Sequence, residues 1–240
     1  KISSVYQLLG GNVTAPGDVI TTDTSVSGDG VVRFTGDQAQ TLSAAGGAGA
    51  LSALWIEKTG GTLTVRDSIQ IDGTKGWTYR GGAVDTTQAE IVFNAGSGNQ
   101  TADAGGMTFG AVSLVMGTWA NLNVVGTMNV NGLLQIQSVY QFLGGDVPAG
   151  GNVVTTDTSV GGSGRIRFIG TGNQTLSAVG GTGSVPGITV DKTGGTLTVS
   201  DTLRISASPA WIHQQGTVQA AGSKLVLCAG SGTQMMQAGE

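Results

Sequence analysis

The feature that most constrains this chain of 240 residues is an internal repeat at an offset of 134 residues. Ser4–Gly11 (SVYQLLGG) returns as Ser138–Gly145 (SVYQFLGG), and Lys58–Val65 (KTGGTLTV) returns unchanged as Lys192–Val199. When the first 106 residues are aligned with the last 106, 52 positions are identical and no gap is needed. Because loops usually tolerate changes of length, a repeat without gaps indicates that nearly every residue has a fixed place in the fold.

A weaker repeat divides the first unit into two related halves. Phe34 and Gln40 in the first half correspond to Phe93 and Gln100 in the second. We therefore predict a first unit at residues 1–134, with halves at about 1–73 and 74–134, and a truncated second unit at 135–240 in one continuous solenoid. Both ends of the sequence fall inside this pattern rather than in an atypical capping repeat, so we expect a window from a longer array.

Short stretches with alternating apolar residues favour β-strands throughout the chain. Thr62–Val65 and Ser68–Asp72 place an apolar side chain at every second position, which is the period of a strand with one buried face. Glycine pairs such as Gly60-Gly61 separate these stretches. Glycine supplies 43 of the 240 residues, well above the usual share of about 7%, and it suits tight corners where φ is positive.

These strands predict an all-β fold, a parallel β-helix (β-solenoid) built from the 134-residue repeats. Apolar positions recur about every 20–24 residues, the length of one solenoid coil. About eleven coils would then stack over roughly 50 Å, at about 4.8 Å for each coil. The alternative is a pair of tandem β-sandwich domains, whose hairpin turns would also be rich in glycine.

Composition narrows the classes of partner. The formal net charge is −4, and 11 lysines and arginines are scattered along the chain, which argues against a nucleic-acid partner, since such binding needs clustered cations. No apolar run approaches the roughly 18 residues of a membrane span. The single cysteine, Cys228, excludes an internal disulfide and a cysteine-rich zinc site.

No pattern of residues predicts catalysis. The single histidine, His213, aligns with Tyr79 in the first unit, so this position is predicted to be structural or solvent-facing. Asp67 and Asp72 lie close in sequence, as a pair of catalytic carboxylates would, but Asp72 becomes Ser206 in the second unit. We therefore predict no catalytic residue and no enzyme.

Isolated aspartates are the candidates for a metal site. Asp23 recurs as Asp157, and Asp67 recurs as Asp201, each next to a threonine or serine. The calcium-binding nonapeptide of β-rolls and the EF-hand loop are both absent from the sequence. We predict that these aspartates are turn carboxylates that accept hydrogen bonds from backbone N–H groups, and we assign no metal ligand, no cofactor-binding residue and no cofactor.

Aromatic residues are the candidates for a binding surface. One aromatic corner occurs in each unit: Trp77, Tyr79 and Arg80 in the first, and Trp211, His213 and Gln214 in the second. Exposed on one face, these side chains would form a glycan platform. We favour the other interpretation, in which the rings pack over the edge of a coil. Trp55 and Trp119 do not recur, so they predict no repeated site.

Repeated cations are expected at the surface. Arg33 and Arg167 each directly precede a phenylalanine, Phe34 or Phe168. Since neighbouring side chains of a strand point to opposite faces, we expect the arginines on the outer face, opposite the buried rings. Lys58 and Lys192 precede turn glycines, and we expect both to be solvated corner residues.

The stretch from Phe34 to Val65, with Gln-Thr-Leu-Ser and Glu-Lys-Thr-Gly-Gly-Thr-Leu-Thr-Val, resembles the Gly/Thr-rich repeat arrays of large bacterial secreted and surface proteins. These are the filamentous-haemagglutinin-like and autotransporter-passenger-like β-solenoid adhesins. The resemblance extends over essentially the whole chain. It implies a right-handed parallel β-helix in an extracellular or cell-surface location.

Together these observations predict a non-enzymatic structural repeat segment of a bacterial extracellular or cell-surface protein, forming an elongated stalk, filament or surface layer. We expect self-association, end to end or lateral, or contact with neighbouring repeats, because an open solenoid end is an unpaired strand edge. An adhesin-type module that binds a glycan or host protein is the alternative. A carbohydrate-active solenoid enzyme is the second alternative, and it would need a cleft with converging acids.

Overall fold

The computed structural model describes residues 1–3, 7–228 and 236–237. These residues form 21 β-strands and no helix, so they contain no helix long and apolar enough to cross a membrane. The strands are β1 (Asn12–Ala15), β2 (Val19–Ile20), β3 (Val31–Gly36), β4 (Gln40–Ser43), β5 (Ala48–Phe93), β6 (Ser97–Asp103), β7 (Thr108–Val115), β8 (Trp119–Val125), β9 (Asn129–Val130), β10 (Leu134–Ser138), β11 (Gln141–Leu143), β12 (Asp146–Ala149), β13 (Val153–Thr155), β14 (Arg165–Ile169), β15 (Gln174–Ala178), β16 (Thr182–Val185), β17 (Gly187–Val199), β18 (Thr202–Ile205), β19 (Trp211–Gln219), β20 (Lys224–Leu227) and β21 (Met236–Gln237).

The chain winds as a parallel β-solenoid of about 10 turns. Eighteen strands form one sheet, and β16, β18 and β20 form a second. Paired residues on neighbouring coils lie from 19 positions apart (Asn12 and Val31) to 25 positions apart (Trp77 and Ala102). The predicted parallel β-helix is therefore confirmed, with coils close to the expected 20–24 residues. The tandem-sandwich alternative is wrong, since the strand pairs are parallel and not hairpins.

The sequence repeat is also a repeat of strand register. Ala15 lies beside Phe34 on the next coil, and Ala149 lies beside Phe168 in the same way. At the junction, β10 pairs with β7 on one side and β13 on the other, so the coils continue across residue 134. The unit boundaries and the handedness stay predictions. The sequence of Ala95–Gly98 (AGSG) returns at 229–232, a match that lies outside the described residues.

The core consists of apolar columns that run along the solenoid. In one column each residue pairs with the next across six coils, and every member is at most 1% exposed: Ile91, Val112, Leu134, Val153, Leu176 and Val199. A single coil cannot bury such a side chain alone, because its cover comes from the coils above and below. Stability therefore depends on stacking.

A second column contains glycines, because neighbouring coils approach too closely for a side chain. A Cβ added to Gly132 would lie 2.2 Å from the carbonyl oxygen of Gly110, and one added to Gly151 would lie 2.0 Å from the carbonyl oxygen of Gly132. Both distances are far below van der Waals contact. Part of the high glycine content is thus a packing requirement.

Candidate functional site

The repeated aromatic corners are part of the core. Trp77 is fully buried, and its ring meets Phe109 edge-on, with centroids 5.1 Å apart and planes at 80°. Trp211 is 6% exposed. The interpretation that these rings pack against the coils is therefore confirmed. A glycan platform on Trp77 and Trp211 is wrong, because neither ring offers a face to solvent.

Tyr79 and His213 hold the same corner turn in the two units. The Tyr79 hydroxyl donates to the carbonyl oxygen of Gly82 over 2.7 Å. His213 Nε2 lies 2.9 Å from the carbonyl oxygen of Gly216 at the equivalent position. The prediction of a structural position is confirmed, since both side chains serve as local turn braces.

Among the repeated aspartates, Asp67, Asp157 and Asp201 accept hydrogen bonds from backbone N–H groups, as predicted. Asp67 Oδ2 accepts from the N–H groups of Ala44 and Gly46 over 2.9 and 3.0 Å, and its φ is +68°. Asp201 Oδ2 accepts from Ala178 N–H over 3.1 Å. The described residues contain no cluster of three or more His, Cys, Asp or Glu side chains that could hold a metal ion.

Lys58 and Lys192 are buried, and the prediction that they are solvated corners is wrong. Lys58 is 5% exposed and Lys192 is 1% exposed. The Lys192 ammonium donates to the side-chain oxygen of Gln174 over 2.5 Å and to the carbonyl oxygen of Gly172 over 2.8 Å. The aliphatic stem packs along the coil while the charged end finds oxygen acceptors. Burial lowers the pKa of Lys192.

The repeated arginines lie half-buried on the outer face, as predicted. Arg33 pairs with Glu57, and its guanidinium lies 5.8 Å from the centroid of the Trp55 ring. Arg167 pairs with Asp146 over 2.7 Å and with Asp191 over 3.4 Å. These ion pairs cross from coil to coil. The hydrogen bond that Arg167 donates to the Asp146 carboxylate raises the pKa of Arg167.

A different aromatic pair faces solvent. Trp119 is 67% exposed and Tyr140 is 41% exposed, and their ring centroids lie 5.0 Å apart at 68°. Tyr140 N–H donates to the carbonyl oxygen of Ala120 over 3.0 Å, which places the two rings on neighbouring coils. The sequence interpretation set Trp119 aside because it does not recur. Trp119 falls in residues 107–134, the part of the unit that this sequence contains only once.

A polar groove continues from this aromatic pair along the second unit. Two depressions that share Thr158 and Ser159 form it. The first, of about 250 Å³, is lined by Gln137, Tyr140, Thr156, Asp157, Thr158 and Ser159. The second, of about 410 Å³, is lined by residues that include Gln141, Ser159, Gly161, Ser184, Arg204 and Ser206. From the coil of Trp119 to that of Arg204 there are four coil steps, a length on the order of 19 Å.

The groove is rich in hydroxyl groups. It contains one acidic residue, Asp157, and one basic residue, Arg204, so its formal net charge is zero. Asp157 is 8% exposed, and its carboxylate accepts from the N–H groups of Val139 and Ser159 over 2.6 and 2.8 Å. Arg204 is exposed, and its guanidinium has no hydrogen bond or ion pair with any residue in the described ranges. The arrangement therefore offers aromatic faces at one end, hydroxyl groups between, and one free cation at the other end.

No protein-family model, curated protein or solved structure matches the chain. Two features of the chain's own residues bear on its function: the stacked coils as a whole, and the groove that extends from Trp119 to Arg204.

Proposed function

We propose that this chain is a non-enzymatic structural repeat segment of a bacterial extracellular or cell-surface protein, forming an elongated stalk, filament or layer. The observation that carries this proposal is an uninterrupted series of parallel pairings. It runs through β1, β3, β5, β7, β10, β13, β15, β17, β19 and β21. Because each coil covers the apolar columns of the next, the array lengthens by repetition of the same contact.

The outer surface is suited to close contact between neighbouring rods. Amide side chains stack from coil to coil, as where Asn121 Nδ2 donates to Asn99 Oδ1 over 2.7 Å. Charged residues make up only 11% of the chain. A surface of this kind has little like-charge repulsion to hold neighbouring rods apart.

The first coil supports contact from end to end. Val13 is 49% exposed, whereas Val147, its equivalent in the second unit, is fully buried. The difference follows from pairing, since β12 lies between β9 and β14 while β1 pairs with β3. Leu9 and Ile20 are also exposed, at 77% and 40%. We propose that a coil of the same repeat type covers this face.

The enzyme and adhesin alternatives each require a particular arrangement of side chains. An enzyme of the carbohydrate-active solenoid type needs converging acids, and the groove described here brings one carboxylate, Asp157, whose oxygens already accept backbone N–H groups. An adhesin based on Trp77 and Trp211 would need exposed rings, and both rings are buried. These observations favour the structural role.

Electron microscopy of the purified chain over a concentration series tests the proposal. We expect rods that lengthen with concentration beyond the roughly 50 Å of one chain. Val13→Asp should shorten them, because it places a charge in the end face. Val179→Asp is the matched control, since Val179 is 62% exposed away from that face. Compact or two-lobed particles would contradict the elongated role, and rods equally long with Val13→Asp would contradict the end contact.

A further inference from the structure

The two repeat units differ at one surface corner, where three exchanged residues close the first unit and open the second. In the first unit, Gln70 Nε2 and Asn94 Nδ2 both donate to Asp72 Oδ1, over 2.7 and 3.1 Å. The other carboxylate oxygen, Asp72 Oδ2, accepts from Val26 N–H over 2.6 Å. These three side chains fill the corner and bind it to a coil nearer the start of the solenoid.

In the second unit the same positions carry Arg204, Ser206 and Cys228. Ser206 keeps the contact between coils, because its hydroxyl donates to the carbonyl oxygen of Val160, the equivalent of Val26. Its side chain is shorter than that of an aspartate, and all three residues line the 410 Å³ depression. Gln70 binds the Asp72 carboxylate, whereas its equivalent Arg204 has a serine, Ser206, in place of that aspartate. The fold is thus retained, while a filled corner is replaced by an open groove with an exposed cation.

The other end of the groove presents two exposed aromatic rings. Trp119 and Tyr140 contact each other edge to face, and a large part of each ring stays open to solvent. A sugar ring has an apolar C–H face and polar edges, and an exposed aromatic ring beside hydroxyl groups matches both. The planar guanidinium of Arg204 matches a carboxylate, which it can bind through two parallel hydrogen bonds.

We infer that the groove from Trp119 to Arg204 binds a linear saccharide chain that carries carboxylates, an oligouronate. Trp119 and Tyr140 pack against sugar rings, the hydroxyls of Thr158 and Ser159 bind the polar edges, and Arg204 pairs with a carboxylate. The length of four coil steps requires a chain rather than a single sugar. This site goes beyond the structural role and does not depend on it.

The first experiment is titration of the full chain with a galacturonate hexasaccharide, followed by calorimetry and tryptophan fluorescence. The matched ligand is the same oligomer with its carboxylates reduced to alcohols. We expect saturable binding of the acidic oligomer, at least tenfold tighter than that of the reduced one and weakened by salt. Absence of saturable binding, or equal affinity for the two oligomers, would overturn the inference.

Variants then assign the residues. Arg204→Gln restores the residue of the first unit, and we expect it to weaken the acidic oligomer about tenfold without affecting the reduced one. Trp119→Ala and Tyr140→Ala should weaken both ligands by a similar factor. Arg80→Gln is the control, because Arg80 is an exposed arginine that pairs with Asp103 outside the groove. Affinity unchanged by both Arg204→Gln and Trp119→Ala would place binding elsewhere and refute the site.

A substitution that fills the groove provides a test that does not depend on truncating an aromatic ring. Ser206→Asp introduces the first unit's residue beside Arg204, where the carboxylate pairs with the guanidinium and occupies the groove. We expect loss of oligouronate binding with the thermal unfolding midpoint retained, because the first unit accommodates an aspartate at this position. Full affinity in a folded Ser206→Asp protein would contradict the inference.

Discussion

The buried ammonium of Lys192 donates a 2.5 Å hydrogen bond to Gln174 Oε1, and Lys58 makes the same bond to Gln40 Oε1 over 2.6 Å. The amide of Gln174 in turn donates to the carbonyl oxygens of Ala149 and Gly151, over 2.8 and 2.7 Å. One lysine and one glutamine thus connect three successive coils. Within the described ranges no carboxylate pairs with this charge, and the Gln174 and Gly172 oxygens accept from it.

The first prediction concerns this buried lysine. Lys192→Met keeps much of the apolar stem but removes the donor, which leaves Gln174 Oε1 and the Gly172 carbonyl oxygen without it. We expect a loss of about 1–3 kcal/mol in the free energy of unfolding, measured in urea. The control is Lys75→Met, since Lys75 is an exposed lysine that donates to the backbone carbonyl oxygen of Asp29, and it should cost less than about 0.5 kcal/mol. Equal losses for the two variants would show that the buried network contributes nothing.

The second prediction is a dependence of stability on pH. Burial lowers the pKa of Lys192 in the folded state. Between that lowered value and the ordinary lysine value of about 10.4, the unfolded chain binds more protons than the folded chain, so stability rises with pH. The free energy of unfolding of the native chain minus that of Lys192→Met should therefore increase as pH approaches the ordinary lysine value. A difference that is flat or falls over this range would contradict the assignment.

The third prediction concerns the glycine column. Gly132→Ala would place a Cβ 2.2 Å from the carbonyl oxygen of Gly110, so the coils must separate locally. We expect a loss of about 2 kcal/mol or more, because overpacking of this kind costs about 1–3 kcal/mol and here the opposing atom is rigid backbone. Gly172→Ala is the control, since a Cβ there meets nothing within 4 Å. The thermal unfolding midpoints of the two variants test this prediction, and similar midpoints would contradict it.

The sequence repeat was sufficient to predict the solenoid fold. Matched positions such as Ala15 and Ala149 lie in matched registers, beside Phe34 and Phe168. Lys58 and Lys192 were misjudged for a physical reason. Their local surroundings, a charged residue followed by turn glycines, are those of an exposed corner, but Gln40 and Gln174 accept from them 18 residues earlier in sequence, on another coil. Such contacts between coils follow from stacking and are not visible in the local pattern.

The groove was missed for a related reason. The exchange of Gln70 and Asp72 for Arg204 and Ser206 is visible when the units are aligned. Its consequence is not, because only the fold shows that Asp72 binds Val26 and fills a corner. Trp119 lies in residues 107–134, which this sequence contains only once, so recurrence says nothing about its role. Only the fold shows that its ring faces solvent.

The last prediction tests that role without a ligand. Trp119 is 67% exposed, while Trp77 is fully buried and Trp211 is 6% exposed. Trp55 is partly buried, with its ring beside the Arg33 guanidinium. Quenching of tryptophan fluorescence by acrylamide should therefore arise mainly from Trp119, with a smaller share from Trp55, and Trp119→Phe should remove most of the accessible fraction. Trp77→Phe is the control and should leave that fraction nearly unchanged, because a fully buried ring is shielded from the quencher. If Trp119→Phe left the quenching intact, the Trp119 ring would be covered in solution, and the aromatic end of the groove would not be free to receive a sugar.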